Sequence, residues 1–241
     1  MFTIFKKELR SFFSSATGYI VIGIFLLVTG LFLWVFPGQY NVLESGYAQV
    51  DGLFVLAPWL YLFLIPAITM RMFAEEKRTG TIELLYTRPL KKISIIAGKY
   101  FAGWTLVALS LLPTVVYYFS IYYLATPVGN VDSGAFWASF IGLLFLASVY
   151  VAIGIFASAI TDNQIVSFIV AVAISAFLLF GFDLLASLFS SGTQASFLLS
   201  LGINSHYESM SRGVIDSRDV IYFLSTTIIF IFGTRFIIKQ K

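Results

Sequence analysis

The 241-residue chain contains no cysteine, so disulfide frameworks, iron–sulfur clusters and thiol catalysis are excluded. It contains a single histidine, His206, so a multi-histidine metal site is excluded as well. Charge is scarce at 11% of residues, against 59% hydrophobic residues and a mean hydropathy of +0.92. A soluble globule has too little interior for that much apolar surface. The phosphate-cradling pattern G-x-x-x-x-G-K-[ST] is also missing: Gly98-Lys99 is followed by Tyr100, and position 93 is isoleucine. The chain is therefore expected to bind no nucleotide cofactor and to be no hydrolytic enzyme in its own right.

Long charge-free runs are present instead. Ser11 to Leu43, Gly52 to Met70, Tyr100 to Val131, Ser133 to Thr161 and Asn163 to Phe182 hold no Asp, Glu, Lys or Arg, and Val220 to Thr234 is a shorter sixth. About 20 apolar residues carry a helix across a hydrocarbon core of about 30 Å. Spans are predicted near Thr17–Phe36, Leu53–Met70, Ile95–Leu124, Ala135–Ala159, Gln164–Asp183 and Val220–Ile238. The runs are solidly apolar rather than alternating, which indicates a helical bundle and not an outer-membrane barrel. The expected fold is all-α: one six-helix polytopic membrane domain over residues 1–241. The first span is preceded by Lys6, Lys7 and Arg10, but its length and the lack of a small-x-small cleavage site make it an anchor rather than a secretory signal.

An even number of spans puts both termini on one side. With the amino terminus in the cytoplasm, Lys6, Lys7, Arg10, Arg71, Lys77, Arg78, Arg88, Lys91, Lys92, Lys99, Arg235, Lys239 and Lys241 fall inside, which is 13 of the 15 basic residues. Only Arg212 and Arg218 fall outside, while seven acids, from Glu44 to Asp219, gather there. This is the asymmetry of a multi-pass protein of the inner (plasma) membrane. The flanking spans make the basic loop a membrane-side feature rather than a nucleic-acid patch.

Two segments on the inner side carry pattern. Residues 1–14 place Phe2, Phe5, Leu9, Phe12 and Phe13 at helical spacing with Lys6, Lys7, Glu8 and Arg10 between them. This predicts an amphipathic helix lying on the membrane surface, with Phe5, Lys6 and Leu9 as interface residues; a plain basic flank is the alternative. In the loop 71–94, Gly80 permits a break after the EEKR stretch, Thr79 or Thr81 can cap a new helix, and Pro89 discourages helix at Arg88. A helix of about two turns fits between them. With Ile82, Leu85 and Tyr86 on one face, it suits either a groove on a soluble partner or an anchor to lipid headgroups.

The run Glu75-Glu76-Lys77-Arg78-Thr79-Gly80-Thr81-Ile82-Glu83-Leu84-Leu85, then Arg88-Pro89-Leu90 and Lys99, resembles the E-x-x-x-G-T-x-E-x-L…P motif of the type-2 ABC exporter permeases. Nearer the carboxyl end, His206 followed by Gly213-Val214-Ile215-Asp216 is similar to the H-x-x-x-x-x-x-G-x-I-D signature of permeases in that superfamily. Taken end to end, the resemblance is to the gliding-motility-associated permeases. It implies that the loop forms a coupling helix touching a separate ABC ATPase subunit, which binds the ATP, and that a second permease subunit completes a twelve-span unit. Glu75, Glu76, Gly80, Thr81, Glu83, Leu84 and Pro89 are then the coupling residues. The rival readings are a non-transporting membrane scaffold or transducer and an ATP-independent secondary transporter. The last lacks an internal repeat or an intramembrane pair of ionisable residues.

Other features are expected to be structural. His206 reads as a buried or capping residue, Asp183 as an interface residue, and Arg235 as a snorkelling one. Residues 184–217 begin with a charge-free stretch broken at Ser190-Ser191-Gly192-Thr193-Gln194, which predicts re-entrant or surface-lying short helices on the outer side. Pro58, Pro66 and Pro113 should bend the second and third spans, and Gly154 with Ser158 and Ala171 with Ser175 offer small surfaces for close helix contact.

Overall fold

The structure, a computed structural model, describes residues 1–86, 91–189 and 192–240. Among these there is no strand. The helices are α1 (Phe2–Ser14), α2 (Ala16–Trp34), α3 (Asp51–Thr69), α4 (Arg71–Arg78), α5 (Thr81–Tyr86), α6 (Lys92–Leu111), α7 (Val115–Leu124), α8 (Ser133–Ile160), α9 (Gln164–Ala176), α10 (Phe182–Ser187), α11 (Gly192–Leu199), α12 (Ile203–Ser211) and α13 (Ser217–Gln240). Six segments are long and apolar enough to cross a bilayer: Ala16–Trp34, Asp51–Arg78, Lys92–Leu124, Ser133–Ile160, Gln164–Ser187 and Ser217–Ile238. They match the six runs of the sequence one for one, and the fold is the all-α multi-pass bundle expected.

The interruptions have local causes. Pro113 has no N–H to continue an α-helical ladder, and the third span passes it in a 3-10 turn, Leu112–Thr114, between α6 and α7. Pro58 and Pro66 sit inside α3 without ending it. The fifth span runs on past Asp183 to Ser187 through a π-helical turn, Phe177–Gly181, that the sequence did not signal. Helix starts are capped where the sequence supplies a short acceptor. The Asp132 carboxylate accepts the Ala135 N–H at 2.9 Å at the head of α8, and the Asn163 amide oxygen accepts that of Ile165 at 2.9 Å at the head of α9. Each cap contributes about 1 kcal/mol.

α8 is the axis of the bundle. Of its most apolar stretch 78% is buried, against 22% for the fifth and sixth spans, so the other helices pack around it. Hydrocarbon offers no hydrophobic drive for this, and close approach at small residues does the work. A Cβ at Gly142 would lie 3.0 Å from that of Met210 on α12, and one at Gly233 of α13 would lie 2.9 Å from the Phe156 ring. On α9, Ser167, Ala171 and Ser175 form a wholly buried stripe at four-residue spacing.

Both chain ends lie at the same end of the bundle, because α1 packs on the start of α6 and Lys92 at that start donates to the Ile238 carbonyl of α13 at 2.9 Å. At the opposite end, Asp183 accepts from the Asn204 amide at 2.9 Å, and His206 is held between the Asp219 carboxylate (2.7 Å) and the Ser200 carbonyl (2.9 Å), stacked on Tyr222. His206, expected as a buried or capping residue, is half-buried and ties α12 to α13 through its side chain.

Candidate functional site

At the end of the bundle that carries α1, the break after α3 is stitched by a serine from another span. Ser158 of α8 accepts the N–H groups of Phe73 and Ala74 at 2.9 and 3.0 Å through Oγ, and donates to the Met70 carbonyl at 2.9 Å. Three backbone groups that an interrupted ladder would strand are thereby satisfied in a buried place. One turn earlier, Gly154 lets α8 approach so closely that a Cβ there would lie 2.8 Å from the Thr69 Cβ. The small surface expected from Gly154 and Ser158 is the seat of the α3–α4 junction. Arg71 donates to the Thr17 hydroxyl of α2 at 2.6 Å, and Lys77 donates to the Ala159 carbonyl.

On its other side α4 enters a buried ion cluster. Lys99 of α6, 1% exposed, places its ammonium 2.8 Å from Glu8 Oε1 of α1 and 2.9 Å from Glu76 Oε1 of α4, donates to the Met72 carbonyl at 2.6 Å and lies 5.0 Å above the Phe73 ring. Lys7 reaches the same Glu76 oxygen at 2.9 Å and Glu8 at 3.4 Å. Two ammoniums thus face two carboxylates, with Lys99 withdrawn from water and Lys7, its side chain 59% exposed, closing the cluster on the solvent side. Burial works against the Lys7 ammonium, but the hydrogen bond it donates to Glu76 and the Glu8 charge more than offset it and hold its pKa above the ordinary lysine value.

The cluster also corrects the amphipathic reading of α1. The face turned to the bundle is Ile4, Glu8 and Phe12, with Phe5, Leu9 and Phe13 half-buried beside it and Phe2 and Lys6 exposed. The sequence pattern took Glu8 for a polar-face charge. Glycines make the docking possible: a Cβ at Gly98 of α6 would lie 2.9 Å from that of Ile4, and one at Gly18 of α2 would lie 2.9 Å from the Phe12 carbonyl oxygen. Between α1 and α4 a cleft of about 330 Å³ remains, lined by Lys7, Ser11, Arg71, Glu75, Glu76 and Thr81 among others.

Gly80 has φ +71°, the left-handed geometry that ends a helix and favours glycine, so α4 stops there and α5 starts in a new direction. The Thr79 and Thr81 hydroxyls meet at 3.0 Å across the corner. Gly80, Thr81 and Glu83 are exposed and Glu75 is half-buried. Leu84 lies on α5 with a side chain outside those described, and Pro89 and Arg88 fall outside the described residues. The sequence-expected set thus divides: Glu76 belongs to the α4 anchor, Glu75 lines the cleft between α1 and α4, Gly80 is the corner, and Thr81 and Glu83 form the exposed tip. The residues missed were Glu8 and Lys7, together with the hydrogen-bonding role of Ser158, which was expected only as a small contact surface. Glu8 had a signal, since it completes the i, i+4 stripe with Ile4 and Phe12.

The architecture defines a six-span, all-helical integral membrane protein with a helical corner at the end that holds both termini. Its sequence matches the family described as ABC-2 family transporter protein over residues 2–234, and the chain belongs to that family. No curated protein matches it.

Proposed function

We propose that this chain is the permease subunit of an ATP-driven type-2 ABC exporter of the inner membrane, with both termini in the cytoplasm. A separate ABC ATPase subunit docks on the α4–α5 corner, and a second permease, identical or different, completes the assembly. The observation that carries this reading is the anchoring of α4. Through Glu76, Lys99 and Glu8 it is tied to α6 and α1, through Ser158 to α8, and through Arg71 to α2, while Thr81 and Glu83 stay exposed at the tip of the same corner. A push on α5 passes through the Gly80 corner to α4 and from there to four other helices. The basic residues gathered at this end favour its cytoplasmic placement, and the end-to-end resemblance favours the gliding-motility-associated type.

In this mechanism, closure of the ATPase dimer loads α5, α4 levers against the ion cluster, and α1 and α6 move with it. Phe2 and the half-buried Phe5 and Leu9 leave α1 an apolar flank for lipid, so the helix slides along the bilayer surface rather than leaving it. Force then acts either on a cargo or on an envelope partner, the latter being the scaffold reading. The test is the full chain co-reconstituted with its ATPase and partner permease. Glu83→Ala should lower the stimulation of ATP hydrolysis several-fold with insertion intact, and unchanged stimulation would refute docking at this corner.

A further inference from the structure

At the end of the bundle remote from α1, a cleft of about 440 Å³ opens between the first half of α3, the π-helical turn and α12. Its lining changes character along its length. Asp51, Glu208 and Arg212 stand at its rim, all exposed, and none of the three forms an ion pair within 4.0 Å among the described residues although they share one cleft. Further along α3, Trp59, itself 51% exposed, stacks on Phe180 with ring centroids 4.5 Å apart, and the buried Leu179 lies beside them. Trp59 follows Asp51 by eight residues on one helix, which is about 12 Å along the axis. The π-turn that presents Leu179 and Phe180 is the one break in the fifth span, and such insertions recur at functional sites.

A free guanidinium held apart from two carboxylates matches a ligand that carries both signs at a fixed spacing. A soluble zwitterion would leave the aromatic wall unused, and an uncharged lipid would leave the rim unused. Asp51 begins the second span, so the charged rim falls at the headgroup end of that crossing and Trp59, about 12 Å further along α3, falls within the hydrocarbon. We propose that it seats a zwitterionic phospholipid of the adjacent leaflet. The phosphate faces Arg212, the ammonium faces Asp51 and Glu208, and one acyl chain lies along Trp59 and Phe180. Charge-assisted contacts at both ends of the headgroup supply the selectivity. This site is independent of the ATPase corner and stands whether or not that corner couples.

The test uses the full chain in phosphatidylglycerol nanodiscs with increasing amounts of phosphatidylethanolamine brominated on its acyl chains, or of equally brominated phosphatidylglycerol as control. Trp59 emission is taken as the difference between the wild type and Trp59→Phe. Half-quenching should come at about a tenfold lower mole fraction for the zwitterionic lipid, and Arg212→Glu should remove most of that preference. Coincident curves for the two lipids in the wild type would show bulk lipid contact only and overturn the proposal, whatever the variants do. A preference that survives Arg212→Glu in a protein with unchanged helical circular dichroism would overturn it too.

Discussion

Lys99 and Glu8, 91 positions apart, meet at 2.8 Å in a place where the lysine is 1% exposed. The pair joins the first helix of the chain to the third span, and Glu76 closes the cluster from α4. Removing one partner of such a group strands the others in a poor solvent. Lys99→Met should therefore cost about 3–5 kcal/mol, read as a lowered thermal midpoint in detergent, and adding Glu8→Gln and Glu76→Gln to it should recover part of the loss. A Lys99→Met protein as stable as the wild type would mean that the cluster bears little on the fold.

Gly154→Ala should destabilise by about 1–3 kcal/mol, because the new methyl would lie 2.8 Å from the Thr69 Cβ. Thr69→Ala in the same chain should restore part of the midpoint by removing the hydroxyl and methyl that crowd it. Additive losses in the double variant would argue that the glycine is needed for some other reason.

Ser158→Ala changes volume little but leaves the Phe73 and Ala74 N–H groups without their acceptor. A buried unmet donor costs about 1–3 kcal/mol. Amide hydrogen exchange should rise at residues 73 and 74 before it rises elsewhere in α4, and uniform protection would contradict the stitch.

Gly80 meets nothing within 4 Å, so substitution there is limited by its positive φ and not by space. Gly80→Val should strain the corner by about 1–2 kcal/mol, whereas Gly80→Asn, which tolerates left-handed backbone, should be close to neutral. With the ATPase present, stimulation should fall for valine and persist for asparagine. Equal loss in both would point to a direct contact at the glycine instead of corner geometry.

Much of this was legible in the chain. Length and purity of the apolar runs specify six spans, since hydrocarbon demands that every backbone group be satisfied within its own helix. Pro113 announced an irregularity in the third span, which the structure takes up as a 3-10 turn, and Gly80 announced the corner, because both act through local backbone geometry. The π-turn at Phe177–Gly181 had no such marker: it holds no proline, and its packing against α12 joins residues far apart in the sequence. Glu8 was misread because periodicity counts apolar residues, and a charge buried by a distant partner looks like any surface charge.

The sequence alone therefore determined the class of the protein, its number of crossings and the end on which its basic residues collect, all set by transfer of residues between water and hydrocarbon. Only the tertiary structure decided which polar residues act together. Lys99, Glu8, Glu76 and Lys7 come from three separate helices, as do the rim charges and the aromatic wall of the remote cleft. Whether a charge is paired or left free depends on which helices lie side by side, and that is fixed by the close contacts at Gly18, Gly98 and Gly154.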